Sequence, residues 1–152
     1  ADADNPKGYY EFERVKQLEQ DTSWLPEAEG KVVKIISQLL QHLPADRRYK
    51  VVFMRREMDE ILASQRRMLK RRGEATDTVD DDKLERLFRQ HVRGIQHWLN
   101  EQPNFDVTYL SYNRILENPY DGAQRLDAFL EQDLDVAAMV EVVDPALYRQ
   151  RA

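Results

Sequence analysis

Hydrophobic residues fall into short apolar runs and into longer stretches where they recur every three or four positions. Two β-branched runs, KVVKII at 31–36 and YKVVFM at 49–54, predict buried strands of a parallel sheet. FDVTYLSY at 105–112 predicts a third strand. Between the first two strands, 37–44 predicts a helical turn or two closed by Pro44.

Amphipathic helices are predicted around these strands, because apolar residues recur at helical spacing. The signal is clearest over 80–100, and Pro119 suits the first turn of a helix that follows the third strand. Strands alternating with helices predict an α/β domain with a parallel sheet. The predicted helices cover 8–21, 57–72, 80–100, 118–132 and 135–143.

Three strands are few for a doubly wound sheet. The opening ADADNPKG has the composition of a linker. We therefore expect a first strand upstream of this sequence. The length of 152 residues favours one domain, 1–152, with a hydrophobic core of its own.

Composition narrows the function classes. The net charge of −5 argues against a general nucleic-acid binder. No apolar run approaches the roughly 18 residues that a membrane-spanning helix needs, so we expect no membrane partner. The absence of cysteine excludes disulfides and fits a reducing cytoplasm. The three histidines are scattered, so no metal site is expected.

Basic residues cluster in RRMLKRR, 66–72. This pattern is typical of a basic last helical turn ended by Gly73. An anion-binding role for part of the cluster is the alternative.

Two arginines, Arg55 and Arg56, follow the predicted strand 49–54. Ligands of open parallel sheets bind at the carboxyl ends of the strands, and the first turn of the next helix favours anions there. A guanidinium binds phosphate with paired donors. Ser64, eight residues beyond Arg56, lies about two helical turns along and can donate to the same anion.

Acidic residues follow these arginines: Asp59 and Glu60 fall in the first helical turn, where they suit the helix dipole and are placed to orient an arginine. The alternative interpretation is that the arginines form surface ion pairs and that Ser64 has no role.

The stretch KVVKIISQLLQHLPADRRYKVVFMRREMDEILAS resembles the central block of the PAPS-dependent sulfotransferases. In that family a V-K-x-x strand, a turn ending L-P and a K-I-I-Y-x-x-R strand come in this order, with a serine eight residues after the arginine. NPKGYYE and VVDPALYRQR look like a bacterial subgroup, so the resemblance covers most of the chain.

The resemblance implies a P-loop NTPase-like parallel sheet flanked by helices. It also implies transfer of a sulfuryl group from 3′-phosphoadenosine 5′-phosphosulfate (PAPS) to a hydroxyl or amine acceptor, with no metal. Arg56 and Ser64 match the residues that hold the 3′-phosphate of the donor, and Arg55 is a candidate to help them. The acceptor would be a small molecule or a carbohydrate.

The sequence departs from the family in three ways. The phosphosulfate loop, of the type P-R-S-G-T-S, does not occur in it, so we expect the chain as given to be inactive without that loop. Ile36 stands where many cytosolic members carry a catalytic histidine, although the matching Lys34 remains and would face the transferring group. The glycine-rich C-terminal donor motif is not visible, which leaves Tyr148 and Arg149 as candidate replacements.

A carboxylate is the candidate base in place of histidine. Some sulfotransferases of carbohydrates or tyrosine use a glutamate, and Glu11 is the matching candidate, with Glu13 second. The alternative is that Glu11 only stabilises the first turn of a helix.

Two other functions stay open. A P-loop kinase of a small molecule would need a Walker-type lysine loop and Mg²⁺ ligands, and neither is visible in the sequence. A non-catalytic member that binds a nucleotide or a protein is the other alternative, which stays open because Ile36 cannot move protons.

Overall fold

The structure, a computed structural model, describes residues 10–71, 73 and 81–148. The chain divides into two compact units, Ala1–Arg47 and Arg48–Ala152. The prediction of one domain over 1–152 stays a prediction beside this division. None of the described helices is both long enough and apolar enough to cross a membrane.

The first unit is built from short helical turns around buried aliphatic and aromatic side chains. Its elements are a 3-10 helix Glu13–Gln17, helix α1 Leu25–Ala28 and a 3-10 helix Ser37–His42. Trp24 is fully buried, and its indole N–H donates to the carbonyl of Asp21 at 3.0 Å. Phe12 packs edge-on against the Trp24 ring, 5.2 Å between centroids. The helical turn predicted over 37–44 is confirmed.

The amphipathic α-helix predicted over 8–21 is wrong for its described part, where the regular structure is the 3-10 helix Glu13–Gln17. Phe12 occupies the N-cap position, and its side chain has no oxygen that could accept from the free N–H groups of the first turn. The start of the helix is therefore not stabilised by a side-chain cap. The buried residues Val15 and Leu18 are three positions apart, a spacing that eclipses in a 3-10 helix. The apolar spacing therefore fitted both kinds of helix.

The buried strand predicted over 31–36 is also wrong. The segment is extended at Ile36, but the sheet that the described residues form contains two other strands. Val32 and Ile36 are exposed, at 93% and 57%. A strand needs a neighbour for its N–H and C=O groups, and an apolar composition does not supply one.

The second unit contains a parallel β–α–α–β arrangement, and here the predicted strands and helices are confirmed. The strands pair in register from Tyr49 opposite Phe105 to Arg55 opposite Ser111. Aromatic rings line the sheet: Tyr49 lies 4.8 Å from Phe105 between centroids, and Trp98 of the second helix meets Phe105 at 5.3 Å. The elements are β1 Tyr49–Arg55, α2 Met58–Arg71, α3 Asp81–Glu101 and β2 Phe105–Ser111.

Three helices and a 3-10 turn follow β2. They are α4 Tyr112–Glu117, α5 Pro119–Leu130, α6 Val136–Glu141 and the 3-10 helix Pro145–Leu147. The predicted helices over 118–132 and 135–143 are confirmed as α5 and α6, whereas α4 was not predicted. The Ser111 side chain ends β2 and caps α4 by accepting from the Arg114 N–H at 3.3 Å.

The described fold is mixed α/β and mostly helical, with a small parallel sheet of two strands. This confirms the predicted α/β class at its coarse level. The first predicted strand, 31–36, is absent from the described sheet.

Candidate functional site

The carboxyl ends of both strands lie side by side, since β1 and β2 run parallel with Arg55 opposite Ser111. The chain then continues through Arg56 into α2 on one side and through Tyr112 into α4 on the other. Side chains from the β1–α2 and β2–α4 connections meet at this edge, where parallel sheets usually bind ligands. We call this place the carboxyl edge.

Arg56 is held at the carboxyl edge by a carboxylate and an aromatic ring. Its Nε donates to Glu60 Oε2 at 2.7 Å, one helical turn along the chain. Its guanidinium carbon lies 4.8 Å from the centroid of the Tyr112 ring, which is a cation–π distance. A guanidinium has five N–H donors, and within the described part of the chain only Nε is used, so both Nη groups keep their donors for a ligand.

Glu60 is the buried centre of this cluster, with 3% of its side chain exposed. Its Oε2 accepts from Arg56, and its Oε1 accepts from Asn113 Nδ2 at 2.7 Å and from the hydroxyl of Tyr148. The donors come from the β1–α2 connection, from α4 and from the segment after the last 3-10 helix. One carboxylate therefore joins three separate parts of the second unit.

Asn113 extends the cluster, because its Nδ2 also lies 3.2 Å from the Tyr148 hydroxyl oxygen. Its Oδ1 is buried without a hydrogen-bond partner among the described residues. The rings of Tyr112 and Tyr148 meet edge to face at 5.9 Å between centroids. The packing of the two tyrosines supports the hydrogen bonds around Glu60.

The hydrogen bonds set the protonation of this cluster. Burial alone raises the pKa of the Glu60 carboxyl, but hydrogen bonds from Tyr148, Arg56 and Asn113 outweigh it and bring the pKa below its ordinary value. The hydrogen bond to Glu60, burial and the Glu60 charge together raise the pKa of the Tyr148 phenol. At neutral pH Glu60 is thus an anion and Tyr148 a donor.

Arg55 has a different environment from Arg56. Its guanidinium is exposed and lies 4.0 Å from the centroid of the Tyr109 ring on β2. Tyr109 also accepts a hydrogen bond at its carbonyl from Arg125 Nη2 at 3.3 Å. The two neighbouring arginines therefore have separate aromatic partners, and of the two it is Arg56 that pairs with Glu60 among the described residues.

Ser64 lies half-buried on α2, and its side chain makes no hydrogen bond to any described residue. The structure does not join it to Arg56, so their common role stays a prediction. Tyr148 is linked to Arg56 by Glu60, to which both side chains donate hydrogen bonds. Arg149 lies outside the described residues.

The two residues predicted to be catalytic meet within the first unit. Lys34 Nζ and Glu11 Oε1 form an ion pair at 3.3 Å, with 54% and 35% of the two side chains exposed. They are 23 positions apart in sequence, so the fold of this unit brings them together. Ile36, at the N-cap of the following 3-10 helix, is exposed and offers no group that moves protons.

Sequence reasoning missed part of the carboxyl edge. Asp59 and Glu60 were both predicted to orient an arginine, and the structure pairs Glu60 with Arg56. Tyr112 and Asn113 carried no such signal, because their partners are distant in sequence: Asn113 is 53 positions from Glu60. Only the parallel pairing of the strands brings them to the same edge.

Within the described residues no group of three or more histidine, aspartate or glutamate side chains is arranged to hold a metal ion. No family model, curated protein or solved structure matches this chain. The resemblance to the sulfotransferases therefore rests on the quoted residues, their order and their spacing.

Proposed function

We propose that the protein is a bacterial PAPS-dependent sulfotransferase of the P-loop NTPase-like fold, transferring a sulfuryl group to a hydroxyl or amine acceptor. The observation that supports this most is Arg56, which follows a parallel strand and keeps both Nη groups available among the described residues. The order of motifs around it is the order found in that family.

The 3′-phosphate of PAPS suits Arg56 chemically. A phosphate dianion accepts paired hydrogen bonds from a guanidinium, and charge-assisted pairs of this kind are the strong ones. Tyr112 and Glu60 limit the motion of the Arg56 side chain, so less conformational entropy is lost when a phosphate binds. Ser64 and Arg55 are the proposed further donors, and Tyr148 acts through Glu60.

Glu11 and Lys34 are proposed to carry the chemistry at the acceptor. PAPS, when bound, supplies the sulfuryl group and the leaving phosphate. Glu11 would take the proton from the acceptor as the new bond to sulfur forms. Lys34, 3.3 Å from Glu11, would offset the negative charge of the transferring group.

Nucleotide selectivity tests the proposal. We expect the protein that includes the phosphosulfate loop to bind adenosine 3′,5′-bisphosphate much more tightly than 5′-AMP, because Arg56 has the 3′-phosphate as its partner. Arg56→Ala should abolish this preference, at a cost of about 1.5–3 kcal/mol for hydrogen bonds to a charged group. Isothermal titration calorimetry with both nucleotides measures the difference.

Arg89→Ala is the matched control, since Arg89 Nε pairs with Glu85 four residues away at 2.6 Å on α3. It should leave the preference unchanged. Equal affinities of the two nucleotides for the unmodified protein would refute the proposed site, and with it the proposed donor.

A further inference from the structure

Glu60 does more than pair with Arg56, because it is buried and its other oxygen is bound from the far end of the chain. Tyr148, 88 positions away in sequence, donates to Oε1, while Arg56 donates to Oε2. Asn113 donates to Oε1 as well, at 2.7 Å. One oxygen of the carboxylate thus binds Arg56, the candidate phosphate-binding residue, and the other binds the segment 145–148, which we call the C-terminal segment.

Burial makes these contacts interdependent. A buried carboxylate is costly unless its lone pairs are satisfied, so losing one donor changes the best position of the whole group. Without the Tyr148 hydroxyl, the donor that Oε1 keeps among the described residues is Asn113, whose amide is itself 3.2 Å from that hydroxyl. Glu60 is then free to tilt, and the Arg56 guanidinium, which it holds at Nε, loses its fixed orientation.

We propose that Glu60 is a positioning residue that links the docking of the C-terminal segment, through Tyr148, to the affinity of Arg56 for a phosphate. This inference rests on the proposed function, since the phosphate is taken to be the 3′-phosphate of the donor. The linkage is reciprocal: a docked segment favours phosphate binding, and bound phosphate favours docking by the same factor.

The linkage has a simple physical route. The Tyr148 ring packs edge-on against the Tyr112 ring, and the Arg56 guanidinium lies over that same Tyr112 ring. Docking of Tyr148 therefore acts on Arg56 in two ways, through the Glu60 carboxylate and through the Tyr112 ring. Both contacts must be in place for the Nη groups to keep one direction.

Tyr148→Phe is the most selective test, because it removes the hydroxyl and keeps the ring. We expect the affinity for adenosine 3′,5′-bisphosphate to fall about 5-fold or more, the low end of measured coupling between sites. The affinity for 5′-AMP should not change. Tyr120→Phe is the control, since the Tyr120 hydroxyl bonds Gln124 at 3.2 Å on the exposed side of α5.

Glu60→Gln provides a second test. Its control is Glu85→Gln, because Glu85 pairs with Arg89 on α3 at the same spacing of four residues. We expect Glu60→Gln to lower the selectivity for the bisphosphate at least as much as Tyr148→Phe. The Arg56 Nε–H resonance, observed by NMR without ligand, should be protected from solvent exchange in the unmodified protein. That protection should be lost in Glu60→Gln and reduced in Tyr148→Phe, a change that a general loss of stability would not confine to one arginine.

The results separate this inference from the proposed function. If Arg56→Ala abolishes the preference for the bisphosphate but Tyr148→Phe binds both nucleotides like the unmodified protein, the linkage is wrong and the donor site stands. If the unmodified protein shows no preference, the proposed function fails. The protection of the Arg56 Nε–H in each variant then still decides whether Tyr148 and Glu60 position the arginine.

Discussion

Glu60 is an acidic side chain that is almost fully buried, with 3% of it exposed. A buried charge is tolerated when it is paired and its lone pairs are satisfied. Arg56 supplies the opposite charge, and Asn113 and Tyr148 supply neutral donors. Removing a single partner should be more damaging than the worth of one surface ion pair, because it leaves the carboxylate partly unsatisfied.

The stability of the protein should depend on pH through this cluster at both ends of the scale. The folded pKa of Glu60 is lowered from 4.5, so its contribution is present above that value and is lost as pH falls through the folded pKa. The folded pKa of Tyr148 is raised from 10.0, so its contribution is present below that value and is lost as pH rises through the folded pKa.

Urea unfolding across the pH range measures both effects. The stability advantage of the unmodified protein over Glu60→Gln should shrink below about pH 4.5, and its advantage over Tyr148→Phe should shrink above about pH 10. Both advantages should be level between those limits. A difference that does not change with pH in either variant would show that the hydrogen bonds to Glu60 are not formed in solution.

Helices α4 and α5, which follow β2, meet at a closely packed junction. Asn118 ends α4, where its N–H donates to the Arg114 carbonyl at 2.8 Å, and its side chain caps α5 by accepting from the Asp121 N–H. Gly122, in the first turns of α5, lies against Ile115 of α4. A Cβ placed on Gly122 would be 2.8 Å from Ile115 Cγ1, which is closer than van der Waals contact allows.

This junction predicts opposite effects for two glycine substitutions. Gly122→Ala should lower the free energy of unfolding, by up to about 2 kcal/mol, because the added methyl forces the β-branched Ile115 to move. Gly94→Ala on α3 meets no atom within 4 Å and should raise it by about 0.5–1 kcal/mol, the usual helix-propensity gain.

Thermal or chemical denaturation of the two variants gives the comparison, and α3 serves as the control helix for α5. If both substitutions stabilise the protein equally, α4 and α5 do not pack as closely as the structure describes.

At the scale of the whole molecule, the proposed roles are divided between the two units. Arg56, Glu60 and Tyr148 lie in the second unit, and the Glu11–Lys34 pair lies in the first. Donor binding and proton transfer therefore depend on different sets of contacts, and mutations should separate them.

In a protein that includes the expected phosphosulfate loop, Glu11→Gln should leave the affinity for adenosine 3′,5′-bisphosphate unchanged while transfer of radiolabelled sulfate from PAPS to a panel of hydroxyl and amine acceptors collapses. The reason is that the amide cannot take the proton of the acceptor. Glu19→Gln, on an exposed residue of the same unit, is the control. Normal transfer by Glu11→Gln would exclude Glu11 as the base and leave Glu13 as the candidate.

The sequence by itself determined both strands of the second unit and four of its helices, α2, α3, α5 and α6, because their signals are local. The β-branched run at 49–54 and the helical spacing of α3 each specify a backbone conformation from neighbouring residues alone. The parallel direction was predicted from the alternation of strands and helices, because the long crossover that parallel strands need usually contains a helix. Asp59 and Glu60 were predicted to orient an arginine for the same reason, since both fall in the first turn of the helix that follows Arg55 and Arg56.

The tertiary structure alone decided what depends on distant partners. The run at 31–36 has the composition of a strand, yet no strand of the described sheet pairs with it, and backbone hydrogen bonds between strands are not encoded in either strand alone. The contacts of Tyr148 and Asn113 with Glu60 span 88 and 53 positions. Such contacts follow from where the folded chain places each element, which no local pattern contains.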